Sequence, residues 1–123
     1  MSESPFTFPE ARHAAHVASQ RQIAGEEARK QAAVDLADAE RVFRKALAVK
    51  SVELHAEGVA WSAVDSLARG DAHVADLRYK RDVARGVLDA AESAGYRLQA
   101  DRRVLEQLVR WSMAREMAEG ALT

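Results

Sequence analysis

Glu57-Gly58-Val59-Ala60-Trp61-Ser62-Ala63-Val64-Asp65-Ser66-Leu67-Ala68-Arg69-Gly70-Asp71 is the stretch at which a nearly unbroken helical pattern breaks. Gly58 and Gly70 can adopt positive φ without the Cβ clash other residues suffer, so each is suited to end a helix, and Asp71 is suited to cap the next one. Val59, Trp61, Val64, Leu67 and Ala68 between them are spaced for a short amphipathic helix over residues 58 to 70. The corner is thus expected to be formed by Gly58, Trp61, Leu67, Arg69, Gly70 and Asp71, with Trp61 plugging the end of a hairpin.

Upstream, no proline occurs from Glu10 to His55, and Gly25 is the only glycine. One glycine costs a helix of this length about 1 kcal/mol relative to alanine and does not stop it. The segment predicts a helix over 10–55, about 45 residues and roughly 67 Å at 1.5 Å per residue. Its apolar stripe reads Val17, Arg21, Ala24, Ala28, Ala32, Leu36, Ala39, Val42, Phe43, Ala46, Leu47, Val49 and Leu54, at spacings of three and four but built largely from small side chains.

Downstream, a second helix is expected over 71–118, with a seven-residue recurrence at Leu77, Ala84, Ala91, Leu98 and Leu105, and with Gly95 permitting close approach. Glu40 with Arg44, Asp76 with Lys80 and Glu106 with Arg110 stand four apart on the wet side. Residues 1–9, with Phe6 and Phe8 as the only apolar anchors, suit an extended arm, and residues 119–123 a frayed tail. Two runs of similar length joined by a short corner must lie antiparallel. The fold class is therefore all-α: one long, alanine-rich, coiled-coil-like helical hairpin domain over 10–118, with a short helix at its corner.

Composition bounds what such a hairpin can do. Hydrophobic residues make up 48% of 123, but twenty-six of them are alanines and aromatics are only 6%, so the apolar content overstates the area that can be buried. A single thin seam favours self-association into a dimer or larger helical bundle. Tyr96, Trp111, Met113 and Met117 are the candidate interaction surface, because aromatic and methionine side chains dominate such contacts.

Charges of both signs are interspersed, 18 basic against 19 acidic, with a net charge of -1, which argues against a long-range field aimed at a polyanion. There is no cysteine, which excludes disulfides, thiolate zinc sites and a thiol nucleophile and fits a reducing compartment. No apolar run approaches the length of a membrane span, so the chain reads as cytoplasmic.

The chemical constellations are sparse, and each has a plainer structural account. Glu10-Ala11-Arg12-His13 has the Glu-x-x-His spacing of di-iron bundles, but it stands alone at a helix start with no counterpart in the second run. His16 adds no third ligand. His55 and His73 flank the corner together with Glu53, Glu57, Asp65 and Asp71, a set suited to a divalent ion or acid–base work; helix-end dipoles and caps also collect such residues. Arg69-Gly70-Asp71 matches the tripeptide read by integrins, but a glycine stop followed by an aspartate cap accounts for it. With no phosphate-cradling loop and no nucleophile elbow, the chain reads as non-enzymatic, with no cofactor and no small-molecule substrate. Arg97, Arg102, Arg103 and Arg110 make the second run slightly basic, and an oligomer that aligned them would offer single-stranded nucleic acid a shared basic face.

The runs Val52-Glu53-Leu54-His55-Ala56-Glu57-Gly58-Val59-Ala60, Leu67-Ala68-Arg69-Gly70-Asp71, Val74-Ala75-Asp76-Leu77-Arg78 and Arg81-Asp82-Val83-Ala84 resemble small helical early-region proteins of tailed bacteriophages. A Glu-Gly turn, an Ala-Arg-Gly-Asp corner and a Val-Ala-x-Leu-Arg helix start recur in those proteins in the same order. The resemblance implies an accessory role in phage DNA recombination or replication, through contacts with itself or another phage or host protein, in the cytoplasm of the infected bacterium. A virion assembly scaffold or chaperone is the alternative that the same hairpin would serve. The long arms, Trp111 and the Arg102-Arg103 pair lie outside the pattern.

Overall fold

A computed structural model of the chain describes residues 7–122. It contains three helices, α1 (Phe8–Ala56), α2 (Trp61–Gly70) and α3 (Ala72–Leu122), and no strand among the described residues. The long helices α1 and α3 pack against each other, with the short α2 between them in the chain, so the hairpin is as expected. The part of the arm before Thr7, including Phe6, and the last tail residue, Thr123, lie outside the described residues.

Helix α1 begins two residues earlier than expected, because Thr7 and Glu10 form a reciprocal cap. The Thr7 N–H donates to Glu10 Oε2 at 3.0 Å and the Glu10 N–H to Thr7 Oγ1 at 3.3 Å, so two donors that a helix start leaves orphaned are both satisfied. Phe8 and Pro9 are the first helical residues rather than part of an extended arm, and Pro9 is tolerated because its missing N–H falls in the first turn. At the other end α3 runs on to Leu122, so residues 119–122 are helical where fraying was expected.

The two exits from helix at the corner use different chemistry. Gly58 has φ +98°, and around it the Gly58 N–H donates to His55 O at 3.0 Å and the Val59 N–H to Leu54 O at 3.1 Å. These are the paired bonds of a Schellman stop, which needs a residue able to sit at positive φ. Gly70, expected to act the same way, instead remains helical, and Gly58 is the sole described residue at positive φ. Here the reversal is made by Asp71, whose extended backbone (φ -60°, ψ 136°) ends α2. The Asp71 Oδ2 then accepts from the Val74 N–H at 3.3 Å and its carbonyl from the Ala75 N–H at 2.8 Å, so one residue both stops α2 and caps α3.

The described residues fall into two compact units, one made of the chain up to Arg29 with the chain from Ala91, the other of Lys30–Ala90. A residue in a pair of long helices touches only its lateral neighbours, so no single apolar centre gathers the whole length.

In the Lys30–Ala90 unit the buried apolar residues are Ala32, Phe43, Val64, Ala68 and Val74. Val74, Leu77, Arg81, Ala84 and Leu88 are the inward positions of α3, at alternating spacings of three and four. Arg81 is polar at a seam position, but its guanidinium lies 4.7 Å from the centroid of the Phe43 ring, where a cation meets the negative face of the π system. Glu40 pairs across the seam with Arg85 at 2.6 Å rather than along the helix with Arg44. Asp76 with Lys80 forms as expected.

In the other unit the α1 seam is Ala11, Ala15, Ala18, Gln22 and Gly25. Arg21, Ala24 and Ala28, placed in the stripe on sequence, are exposed. The seam is displaced by one residue because of Gly25: a Cβ built there would meet Leu98 Cδ1 at 2.9 Å, so the missing side chain is the seat of Leu98. Gly95, expected to serve close approach, has nothing within 4 Å of such a Cβ.

Candidate interaction surface

The fold splits the acidic and histidine residues gathered at the corner in sequence: Glu53, Asp71 and His73 line one groove, while His55 and Asp65 are drawn off to other partners. His55 turns outward and stacks on Trp61, ring centroids 3.7 Å apart and planes 16° from parallel. Trp61 is therefore not a plug. It is 62% exposed, because Ala60 enters α2 in an extended conformation and returns the indole over the last turn of α1. Leu67 is likewise exposed, and Val64 and Ala68 fill the interior instead. Asp65 is taken by Arg69 at 3.0 Å.

Glu53 and Asp71 meet through Lys50, whose Nζ lies 3.9 Å from Glu53 and 3.6 Å from Asp71. With His73, Val42 and Val49 these residues line a groove of about 390 Å³. The Val74 N–H, and then the Lys50 charge, hold the Asp71 carboxyl below its usual range. Among the described residues no three His, Asp or Glu side chains stand together as metal ligands would. Glu10, the carboxylate of the Glu-x-x-His spacing, is engaged as the N-terminal cap.

The apolar positions not used by the seam are more informative. In the unit containing both chain ends, a groove of about 610 Å³ runs between Ala14, Val17 and Arg21 of α1 and Leu98, Val104 and Leu108 of α3. Trp111 lies seven residues beyond Val104 on the same line of α3 and is exposed, with the Arg115 guanidinium 5.8 Å from the centroid of its ring. Helical spacing identifies Val17, Arg21, Leu98, Leu105 and Leu108 from sequence; Ala14 and Asp101 emerge as groove residues only once the seam's phase is known.

Tyr96, Trp111, Met113 and Met117 are all exposed, but they do not form one patch. Positions seven apart share a face, so Val104 goes with Trp111, Gln99 and Glu106 with Met113, and Tyr96 with Met117. Met113 and Trp111 therefore flank the seam on opposite sides. Tyr96 edges a second, smaller groove of about 330 Å³ lined also by Gly25, Gly95 and Gln99.

The four arginines divide too. Arg102 occupies a seam position, half-buried, with its Nε 3.3 Å from Glu106 Oε1, which removes it from any outward basic face and also breaks the expected Glu106 to Arg110 pair. Arg97, Arg103 and Arg110 are exposed, and Arg103 and Arg110 follow Tyr96 at exact steps of seven. No helix among the described residues is long and apolar enough to cross a membrane. No protein-family model, no curated protein and no solved structure matches the chain.

Proposed function

We propose that this chain is a non-catalytic helical interaction protein that works by self-association, a second copy covering the apolar line of Val104 and Trp111 and the groove beside it. The observation that carries this reading is the imbalance of apolar surface. Among the described residues, seven hydrophobic side chains are buried and four of them are alanines, whereas fifteen large ones are exposed. Burial stabilises by roughly 25 cal/mol per Å² of apolar surface, so a seam of alanine and glycine contributes little. An exposed apolar line beside a groove is what a second pair of helices would cover to complete a four-helix bundle. The resemblance at the corner supports a setting in phage DNA recombination or replication, with the assembled bundle acting as an accessory through protein contacts.

Sedimentation equilibrium at micromolar concentration tests the reading. The natural chain should sediment as a dimer or larger, and Trp111→Ala or Val104→Glu should lower the mass while helicity by circular dichroism persists. A single-chain mass for the natural protein, or assembly unchanged in both variants, would refute it.

A further inference from the structure

The geometry points to a second surface on α3, and we infer that the outward line of Tyr96, Arg103 and Arg110 binds single-stranded nucleic acid. Interspersed carboxylates argue against phosphate binding when α3 is read as a string, but the helix sorts them away. From residue 96 to residue 118 the only carboxylates are Asp101, Glu106 and Glu116, while Glu92 and Glu26 share the groove that Tyr96 edges. Asp101 lines the apolar groove. Glu106 is half-buried beside Arg102. Glu116 follows Arg102 and Val109 at steps of seven, on the seam side of the helix and away from the Tyr96 line, though it is exposed. What remains on the outward line is Tyr96, Arg103, Arg110 and Met117, with Ala100, Gln107 and Ala114 alongside. None of these is acidic, and among the described residues no carboxylate pairs with Arg97, Arg103 or Arg110.

The chemistry selects the occupant. A guanidinium presents a planar fork that matches a phosphate bidentately, and Arg103 and Arg110, seven residues apart on one exposed line, form a short cationic strip on a chain of net charge -1. Tyr96 is 76% exposed, and its free ring is a stacking platform for a base. Trp111 is not, because Arg115 already lies over its ring. From Tyr96 to Arg110 is fourteen residues, about 21 Å along the helix, which suits the low end of the ~4–16 nucleotide sites of single-strand binders. An acidic partner helix fits less well. It would set Arg103 and Arg110 at the centre of a packed seam and strip their water, which a hydrated phosphate backbone does not require. The line is separate from that of Val104 and Trp111, so the inference goes beyond self-association and does not depend on it.

Fluorescence anisotropy with a labelled oligothymidylate decides the matter. Two phosphate contacts per chain predict a slope of about -1.4 in log affinity against log salt, so affinity should fall about 7-fold between about 50 and 200 mM salt. Arg103→Glu with Arg110→Glu should abolish binding, and Tyr96→Ala should weaken it roughly tenfold with the salt slope retained. All three positions are exposed, so circular dichroism and sedimented mass should match the natural chain, which separates loss of this surface from loss of assembly. No binding at about 50 mM salt with tens of micromolar protein, undiminished binding by the double variant, or capture of an acidic helical peptide in place of the oligonucleotide would each overturn the inference.

Discussion

Replacing Gly25 by alanine sets two effects of similar size against each other. In the interior of an exposed helix, glycine to alanine stabilises by about 1 kcal/mol, because alanine loses less backbone freedom on folding. Gly86 and Gly95, where an added Cβ meets nothing within 4 Å, should show that gain undiminished. At Gly25 the same Cβ arrives 2.9 Å from Leu98 Cδ1, inside the ~3.5–4.0 Å at which carbon atoms rest in contact. The Leu98 terminus has to give by roughly half an ångström or more, which forces the side chain off its rotamer at about 0.5–1.5 kcal/mol. Gly25→Ala should therefore be close to neutral. Shortening Leu98 to alanine removes the obstruction, so in that background Gly25→Ala should recover the full gain of about 1 kcal/mol. Urea midpoints of the four chains at one fixed protein concentration give the coupling directly, and about 1 kcal/mol lies above the usual additivity error of ~0.3–0.5. A Gly25→Ala chain as stabilised as Gly86→Ala, with no coupling to Leu98, would refute the assignment of Gly25 as the leucine's seat.

Three further outcomes follow from the corner and the interior. Phe43→Ala should cost about 3–5 kcal/mol by chemical denaturation, since the ring is only 2% exposed and carries the Arg81 guanidinium on its face. Gly58→Ala forces a Cβ into positive φ and should cost about 1–2 kcal/mol by the same measurement; an unchanged midpoint would mean the Schellman stop is dispensable. The folded Asp71 carboxyl titrates below its unfolded value, so its contribution is present above the ordinary carboxylate range and is lost as pH falls through the depressed value. Asp71→Asn should accordingly lower the melting temperature at neutral and alkaline pH and converge with the natural chain as pH falls through the depressed value, so that the acid limb of the profile is flatter.

The corner was legible because its chemistry is local. A glycine two residues past a helix end and an aspartate before a helix start satisfy backbone groups of their own neighbours, and Gly58 and Asp71 behave accordingly. Gly70 misled because a helix can also stop when the next residue, here Asp71, turns extended. Gly25 read as a mere tolerated cost because the leucine that occupies it lies more than seventy residues away in sequence. The same long-range dependence shifted the first half of the α1 stripe by one residue, whereas Trp61 lies outside for a local reason, its stack on His55 across the extended Ala60. Arg81 and Arg102 were invisible as seam residues while only apolar side chains were counted, yet counting forward from Val74 in steps of three and four passes through both. On the candidate surface, composition singles out aromatics and arginines that the fold leaves exposed, Arg102 excepted. Only the phase of α3 could sort them, because one residue of offset moves a side chain by about a quarter of a turn, from one line to another.

The seat for Leu98 also bears on how the two long helices are kept from sliding lengthwise. Toward the chain ends the α1 seam is Ala11, Ala15 and Ala18, and an axial slip of one heptad there would exchange small side chains for one another. At position 25 it would not: the leucine would arrive opposite Ala18, whose methyl occupies the hollow that glycine leaves open. One absent side chain thus acts as a detent, a notch that fixes the setting along a stretch otherwise faced with methyl groups.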